Sequence, residues 1–191
     1  MKKNVGIFFV VFISIFVIVF YLFLCFGAYM YPIKYIEHIE TYCQKYNLDK
    51  SLVASVINVE SGFDANAISS KGAKGLMQIT DNTAVWLCER LKKEYSAEKM
   101  FEPEFNIQLG CYYISYLLEK FDCLDSALAA YNAGEGTVRR WLGEIDCSKN
   151  GITIDYIPYK ETRDYVQRVH KLLIKYQKKF EKQEKLIASI L

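Results

Sequence analysis

Leu52-Val53-Ala54-Ser55-Val56-Ile57-Asn58-Val59-Glu60-Ser61-Gly62 decides how this chain folds and where its chemistry sits. Leu52, Val53, Val56 and Ile57 recur at the spacing of a helix that buries one face. Glu60 falls four residues after Val56 and three after Ile57, so it continues the buried stripe where an apolar residue is expected. Gly62 reads as the C′ residue that ends the helix. Burial and the negative end of the helix dipole both disfavour a charged carboxyl in that last turn. Raising a glutamate to about 6 costs roughly 2–3 kcal/mol. A site can use such a neutral acid to protonate a leaving oxygen. The stretch equally fits a glutamate whose stem packs while its head reaches water.

Outward from this helix, the 191 residues suffice for one domain plus an appendage. A net charge of +2 gives no basis for nucleic-acid binding. The N-terminus carries most of the apolar excess. Met1-Lys2-Lys3-Asn4 is a short basic leader, and Ile7 to Phe26 contains no charged residue. Twenty residues at about 1.5 Å each span a hydrocarbon core of about 30 Å. The run is longer than a signal-peptide apolar region and lacks a good cleavage site. Residues 1–31 are therefore expected to be an uncleaved, single-pass membrane anchor, with Lys2 and Lys3 in the cytoplasm and the rest of the chain outside. Tyr29 and Tyr31 suit the far interface.

Beyond the anchor the pattern is helical. Tyr35 to Tyr46 carries Ile36, Ile39 and Tyr46 on one face, and Asp49 is the expected N-cap of the Glu60 helix. Phe63 to Gly75 reads as a loop. Asp81 is the expected cap of the next helix, Pro103 lies in the first turn of another, and Asp125 is the expected cap of a short Ala-rich one. Thr137 to Trp141 is a short turn. Cys147 to Tyr159 is a loop with an extended Ile-Thr-Ile piece, and a long helix runs from Glu161. The expectation is an all-α domain over residues 33–176, followed by a basic amphipathic tail, 177–191. From Lys160 onward nine basic residues face four acidic ones. The six cysteines show no metal-site spacing, and five outside the anchor leave at least one unpaired within a chain. His38 and His170 read as solvated. No metal or cofactor is implied.

Two further stretches bear on chemistry. In Lys74-Gly75-Leu76-Met77-Gln78-Ile79, Gly72 and Gly75 let backbone approach a neighbour closely. Met77 and Gln78 there combine an adaptable apolar surface with an amide. In Ala129-Ala130-Tyr131-Asn132-Ala133-Gly134, Tyr131 follows Ala127 by four and points inward, where a phenol can hold a buried carboxyl group. Either stretch alone also fits an ordinary loop or helix stop.

Together these residues resemble the SLT-domain lytic transglycosylase family, which shares the goose-type lysozyme fold and cleaves peptidoglycan. Glu60-Ser61-Gly62-Phe63-Asp64 and Gly72-Ala73-Lys74-Gly75-Leu76-Met77-Gln78-Ile79 are similar to its first two motifs. Ala130-Tyr131-Asn132-Ala133-Gly134 is similar to the third, and Ile157-Pro158-Tyr159-Lys160-Glu161-Thr162-Arg163-Asp164-Tyr165-Val166 to the fourth. Phe101-Glu102-Pro103-Glu104-Phe105-Asn106-Ile107 matches a linking segment, with Glu102 where Asp is commoner. Glu135 stands where the family commonly has Pro. The resemblance covers about residues 35 to 176.

The resemblance implies a membrane-anchored, lysozyme-like multi-helix enzyme that breaks the bond between N-acetylmuramic acid and N-acetylglucosamine. Glu60 would be the catalytic acid. Ser61, Met77, Gln78, Tyr131 and Asn132 would bind substrate, Tyr131 also hydrogen-bonding Glu60. Gly75, Arg163 and Tyr165 would support the site. Ordinary glycosidases need two carboxylates, and no second acid here has comparable credentials. Asp64 lies past the Gly62 break. One acid suffices when the muramyl C6 hydroxyl itself attacks C1, leaving a 1,6-anhydromuramyl end. A lysozyme-like hydrolase and an inactive glycan-binding scaffold are the rival readings. Ser96-Ala97-Glu98-Lys99 and Ser148-Lys149-Asn150 have the S-x-x-K and S-x-N spacings of penicillin-interacting enzymes, but no K-T-G follows.

Overall fold

The computed structural model describes residues 12–22 and 31–189. It divides into two units, Met1–Ile33 and Lys34–Leu191. In the first, residues 12–22 are helical and expose Phe12, Phe16, Val19 and Phe20. No helix among the described residues is long and apolar enough to cross a membrane. The rest of the expected Ile7–Phe26 span, and Tyr29, lie outside the described residues.

The second unit is all-helical. Its α-helices are α1 (Ile36–Tyr46), α2 (Lys50–Ser61), α3 (Asp81–Leu91), α4 (Pro103–Lys120), α5 (Leu124–Ala133), α6 (Glu135–Leu142) and α7 (Lys160–Ala188), with a 3-10 turn at Lys99–Phe101. Among the described residues there is no strand, only isolated bridges pairing Ile68 with Lys74 and Lys74 with Ile79.

Helix α2 is central because it is apolar almost all round: every residue from Ser51 to Ile57 is buried. It packs mainly along α7, and α1 lies across α2 and α4. The Asp49 side chain accepts from the Ser51 N–H at 2.7 Å, and Gly62 closes the helix at φ 61°, the left-handed conformation glycine adopts without steric cost. Pro103 opens α4, where a missing N–H costs nothing.

Two expected caps are corrected. Thr80, not Asp81, caps α3, since Thr80 has the extended backbone a cap needs and accepts from Thr83 N–H. Asp81 is thereby free to pair with Lys74 at 2.7 Å. Cys123, not Asp125, caps α5, and Asp125 instead meets His170 at 2.6 Å, so that histidine is held rather than merely solvated. The Ile-Thr-Ile piece is not extended either. Ser148 and Asn150 fold it into turns, Ser148 Oγ donating to Thr153 O at 2.7 Å and Asn150 Oδ1 accepting from Thr153 N–H at 2.9 Å.

The last helix passes position 176 without a break. Tyr176 and Phe180 are both buried, and Lys50 sits over the Phe180 ring while pairing with Glu184 at 2.8 Å. The described part of 177–191 is thus the end of α7, exposed from Glu181 onward. Cys43, Cys88, Cys111, Cys123 and Cys147 are free thiols.

Candidate active site

Glu60 occupies the last turn of α2, and the chain beyond it folds back as one wall of a cleft. Five residues of this segment take left-handed backbone: Gly62, Phe63, Gly72, Gly75 and Gln78. Gly75 has no alternative, since a Cβ there would lie 2.3 Å from Met100 O and 2.4 Å from Asn106 Nδ2. Asn106, fully buried on α4, pins the turn. Its Nδ2 donates to Lys74 O at 3.0 Å and Met100 O at 2.9 Å. Its Oδ1 accepts from Met77 N–H at 2.8 Å. One amide therefore ties Met77 N–H and Lys74 O of the irregular turn to Met100 O of the neighbouring 3-10 turn, Lys74 O also accepting from Ile79 N–H at 3.2 Å.

This arrangement redirects two expected ligands. Ser61 Oγ donates to Leu76 O at 2.8 Å and Ile57 O at 3.2 Å, so the hydroxyl staples the helix end to the turn rather than facing the cleft. Met77 is wholly buried, its sulfur wedged where Gly110 leaves room on α4. Gln78 does line the cleft. Its Nε2 donates to Ala67 O at 3.1 Å and Gly75 O at 2.9 Å, which leaves its carbonyl oxygen as the group to offer a ligand.

The opposite wall comes from the end of α5 and the start of α7. Tyr131 was expected to bond Glu60, but its hydroxyl donates to Met77 O at 2.7 Å. That carbonyl lies at the left-handed turn of Gln78, and the phenol supplies its donor. Asn132 lines the cleft, and its Oδ1 accepts from Thr162 Oγ1 at 2.8 Å. The Asn132 amide nitrogen is thereby turned to donate elsewhere. Arg163 donates to Ile157 O at 2.6 Å and covers the Tyr156 ring, holding the loop that enters α7.

The cleft encloses about 350 Å³, and Glu60, Gln78, Tyr131, Asn132, Lys71 and Glu161 are among its lining residues. Glu60 is partly exposed to it. Burial pushes the Glu60 carboxyl up to about 7, with Glu161 adding to the rise and the phenol of Tyr165 and the charge of Arg168 opposing it. Tyr165 faces Glu60 closely enough to favour the charged form, yet its buried hydroxyl meets no partner at hydrogen-bond geometry. The phenols of Tyr131 and Tyr165 are themselves held well above their ordinary value, by burial first and then by the charge of Glu60. Both therefore stay protonated beside it. Glu161, the other acid of the cleft, lies at its rim and binds Lys71 at 3.0 Å and 3.1 Å. The site therefore holds one shielded carboxyl able to carry a proton near neutral pH.

The structure thus brings Glu60, Gln78, Tyr131, Asn132 and Tyr165 together, and gives Ser61, Met77, Gly75 and Arg163 structural tasks around them. Sequence reading assigned no role to Asn106, Thr162, Tyr113, Lys71 or Glu161. Asn106 offered a signal as a polar residue between Phe105 and Ile107 on an apolar helix, and Glu161 and Thr162 stand inside the stretch that resembles the fourth motif. Among the described residues no group of His, Cys, Asp and Glu could hold a metal ion.

Residues 37–150 match the family model described as the transglycosylase SLT domain. The chain belongs to the SLT family. It is 33% identical over 143 residues to the soluble lytic murein transglycosylase of Salmonella typhimurium, covering 73% of this chain and 22% of that one. It is also 33% identical over 118 residues to membrane-bound lytic murein transglycosylase C of Photorhabdus laumondii, covering 56% and 33% respectively. Among solved structures, an inactive mutant of the lytic transglycosylase Slt from Pseudomonas aeruginosa superposes with a TM-score of 0.69 at 30% identity, covering 79% of this chain and 25% of that one. The SLT chain described here thus spans about a quarter of the soluble relatives.

Proposed function

We propose that the protein is a peptidoglycan lytic transglycosylase in which Glu60 serves first as acid and then as base. The observation that carries the reading is a single shielded carboxyl, held at about 7 in the cleft of an SLT domain. Protonated Glu60 gives its proton to the oxygen linking N-acetylmuramic acid to N-acetylglucosamine, and the C1–O bond breaks. The muramyl C6 hydroxyl then attacks C1 and passes its proton to the Glu60 carboxylate, restoring the acid. No water enters, so the product keeps a 1,6-anhydro ring. The Gln78 carbonyl and the Asn132 amide are the groups offered to the N-acetyl functions of the two sugars. Tyr165 faces the carboxylate and steadies it while it is charged.

Mass spectrometry of products from purified peptidoglycan tests this. Anhydro ends lighter by one water are expected, and they should vanish in Glu60→Gln while glycan binding persists. Reducing ends would instead make the protein a muramidase, and intact glycan with retained binding a scaffold.

We further propose that the N-terminal run anchors the domain on the outer side of a bacterial membrane. The uncharged stretch Ile7–Phe26 behind Lys2 and Lys3 supports it. The full chain should then fractionate with membranes and resist high salt with its N-terminus intact. Release by salt or a new N-terminus near Ala28 would overturn that.

A further inference from the structure

The face of α7 turned away from the core carries a pattern that the cleft does not use. Lys171, Lys175, Lys178, Lys182 and Lys185 follow one another at intervals of four, three, four and three residues, and all are exposed. They form one straight ridge, opposite the buried Val169, Tyr176 and Phe180. The ridge is about 21 Å long, and it begins before the basic tail expected over 177–191. Exposed Ile174 sits within it, at 55%, and exposed Leu186 beside it, four residues after Lys182. From Lys171 to Lys185 the sequence has six lysines against two glutamates, and Glu184 is turned to Lys50 of α2 at 2.8 Å. A solvated helix gains from opposite charges three or four residues apart. The ridge instead sets lysine beside lysine at four successive intervals, which opposes the helix. None of the described residues beyond Phe180 is buried, so the end of α7 bears that repulsion without a packed face to offset it.

We propose that this ridge seats on an anionic lipid surface, with its lysines on headgroup phosphates and Ile174 and Leu186 dipping beneath them. Charge complementarity asks for a polyanion, and the straight line of cations meets a plane along its whole length. The two aliphatic side chains decide the kind of partner. A soluble polyanion offers nothing to Ile174 and Leu186, whereas a bilayer interface takes up both and lets lysine stems lie along it while their ammonium groups reach the phosphates. The contact relieves the repulsion along the ridge. It is reversible and weakens with salt, and it depends neither on the proposed cleavage nor on the proposed N-terminal anchor. Because the first turns of α7 form part of the cleft, a seated ridge sets the attitude of the cleft to the lipid surface.

Hydrogen exchange of the full chain tests this, on vesicles of phosphatidylcholine alone and on vesicles of equal parts phosphatidylcholine and phosphatidylglycerol. Each lysine at an anionic surface strengthens attachment roughly fivefold, so amides of 178–189 should exchange at least about tenfold more slowly on the mixed vesicles. High salt should remove the difference. In Lys178→Gln/Lys182→Gln/Lys185→Gln, which keeps good helix formers, the protection should be absent on both vesicles. Leu186→Ser should weaken it with every charge in place. Equal exchange of the parent on the two vesicles, or protection that survives salt or the triple substitution, overturns the proposal. Equal protection by soluble polyphosphate, untouched by Leu186→Ser, would also overturn it by making the ridge a polyanion site. Flotation of the chain with pure phosphatidylcholine vesicles scores the N-terminal anchor separately, and its failure leaves the comparison between vesicles intact.

Discussion

The two walls of the cleft are held in different ways. The wall from Ser61 to Thr80 is fixed through its backbone: left-handed turns, a glycine with no room for a Cβ, and one buried amide that satisfies three main-chain groups. The wall from Tyr131 to Gly134 and the start of α7 is ordinary helix, fixed by single side-chain bonds such as Thr162 to Asn132 and Arg163 to Ile157. Tyr131 is the tie between them, reaching from the second wall to the Met77 carbonyl of the first. A backbone-built wall cannot yield locally, since each turn depends on the next. A side-chain-built wall can lose one bond and keep its helix. Substitutions should therefore be far costlier on the first wall.

Asn106→Ala should show the largest effect. It strips the side-chain partner from Met77 N–H and Lys74 O inside the first wall and from Met100 O beside it, and should cost roughly 3–5 kcal/mol. Denaturant unfolding measures it, and glycan cleavage should fall with the turn that carries Gln78. A loss below about 1 kcal/mol would mean that the turn holds itself and that the contrast between the walls is misplaced.

Glu60 stands where the walls meet, and its effect on stability has a definite sign. Its carboxyl lies at about 7 when folded, against an ordinary 4.5. Below about pH 4.5 it is neutral in both states and costs nothing. As pH rises to about 7 the unfolded chain ionises first, and the folded state loses roughly 3 kcal/mol. Glu60→Gln has no charge to bury. It should match the parent's stability near pH 4.5 and exceed it by roughly 3 kcal/mol near pH 8, while being catalytically dead. Parallel stability curves for the two proteins across that range would show that the site does not shield this carboxyl.

Thr162→Val probes the second wall at a single bond. It removes the donor to Asn132 Oδ1 and should cost about 1 kcal/mol. With its orientation loosened, Asn132 should bind glycan several-fold more weakly, read as a higher KM with little change in kcat. A cost as large as that of Asn106→Ala would erase the difference between the walls.

The same division explains what the sequence allowed one to read. The apolar stripe of α2, the Gly62 stop and the Glu60 position follow from local periodicity and turn chemistry, and the glycines at 72 and 75 announce an unusual backbone. Side-chain pairing across the cleft does not follow from local pattern. Tyr131 was expected on Glu60 because both point inward from helix ends, but which of two phenols meets the carboxyl and which meets a carbonyl depends on how α5 and α7 pack. Ser61 and Met77 belong to motifs that surround a site, and motif membership does not separate a residue facing the ligand from one bracing the turn. The caps failed for a similar reason. Asp81 and Asp125 are good capping residues, yet Thr80 and Cys123 stand where the backbone turns extended.

The smallest stability effect, and the sharpest electrostatic one, belongs to Tyr165. Its hydroxyl is buried without a hydrogen-bond partner, so Tyr165→Phe removes a polar atom that the fold does not satisfy. Stability should change by less than about 0.5 kcal/mol in either direction. Tyr131→Phe, in comparison, strips the donor from Met77 O and should cost about 1 kcal/mol. The phenol of Tyr165 does act on Glu60, favouring its charged form against burial. Without it the carboxyl keeps its proton to higher pH. The alkaline limb of cleavage, which the parent should show near pH 7 as the acid is lost, should therefore move upward in Tyr165→Phe. The second half of the reaction needs the carboxylate, so kcat should fall as the limb moves. An unmoved limb with unchanged kcat would place Tyr165 in the core packing alone. The charge balance at Glu60 would then be left to burial, Glu161 and Arg168.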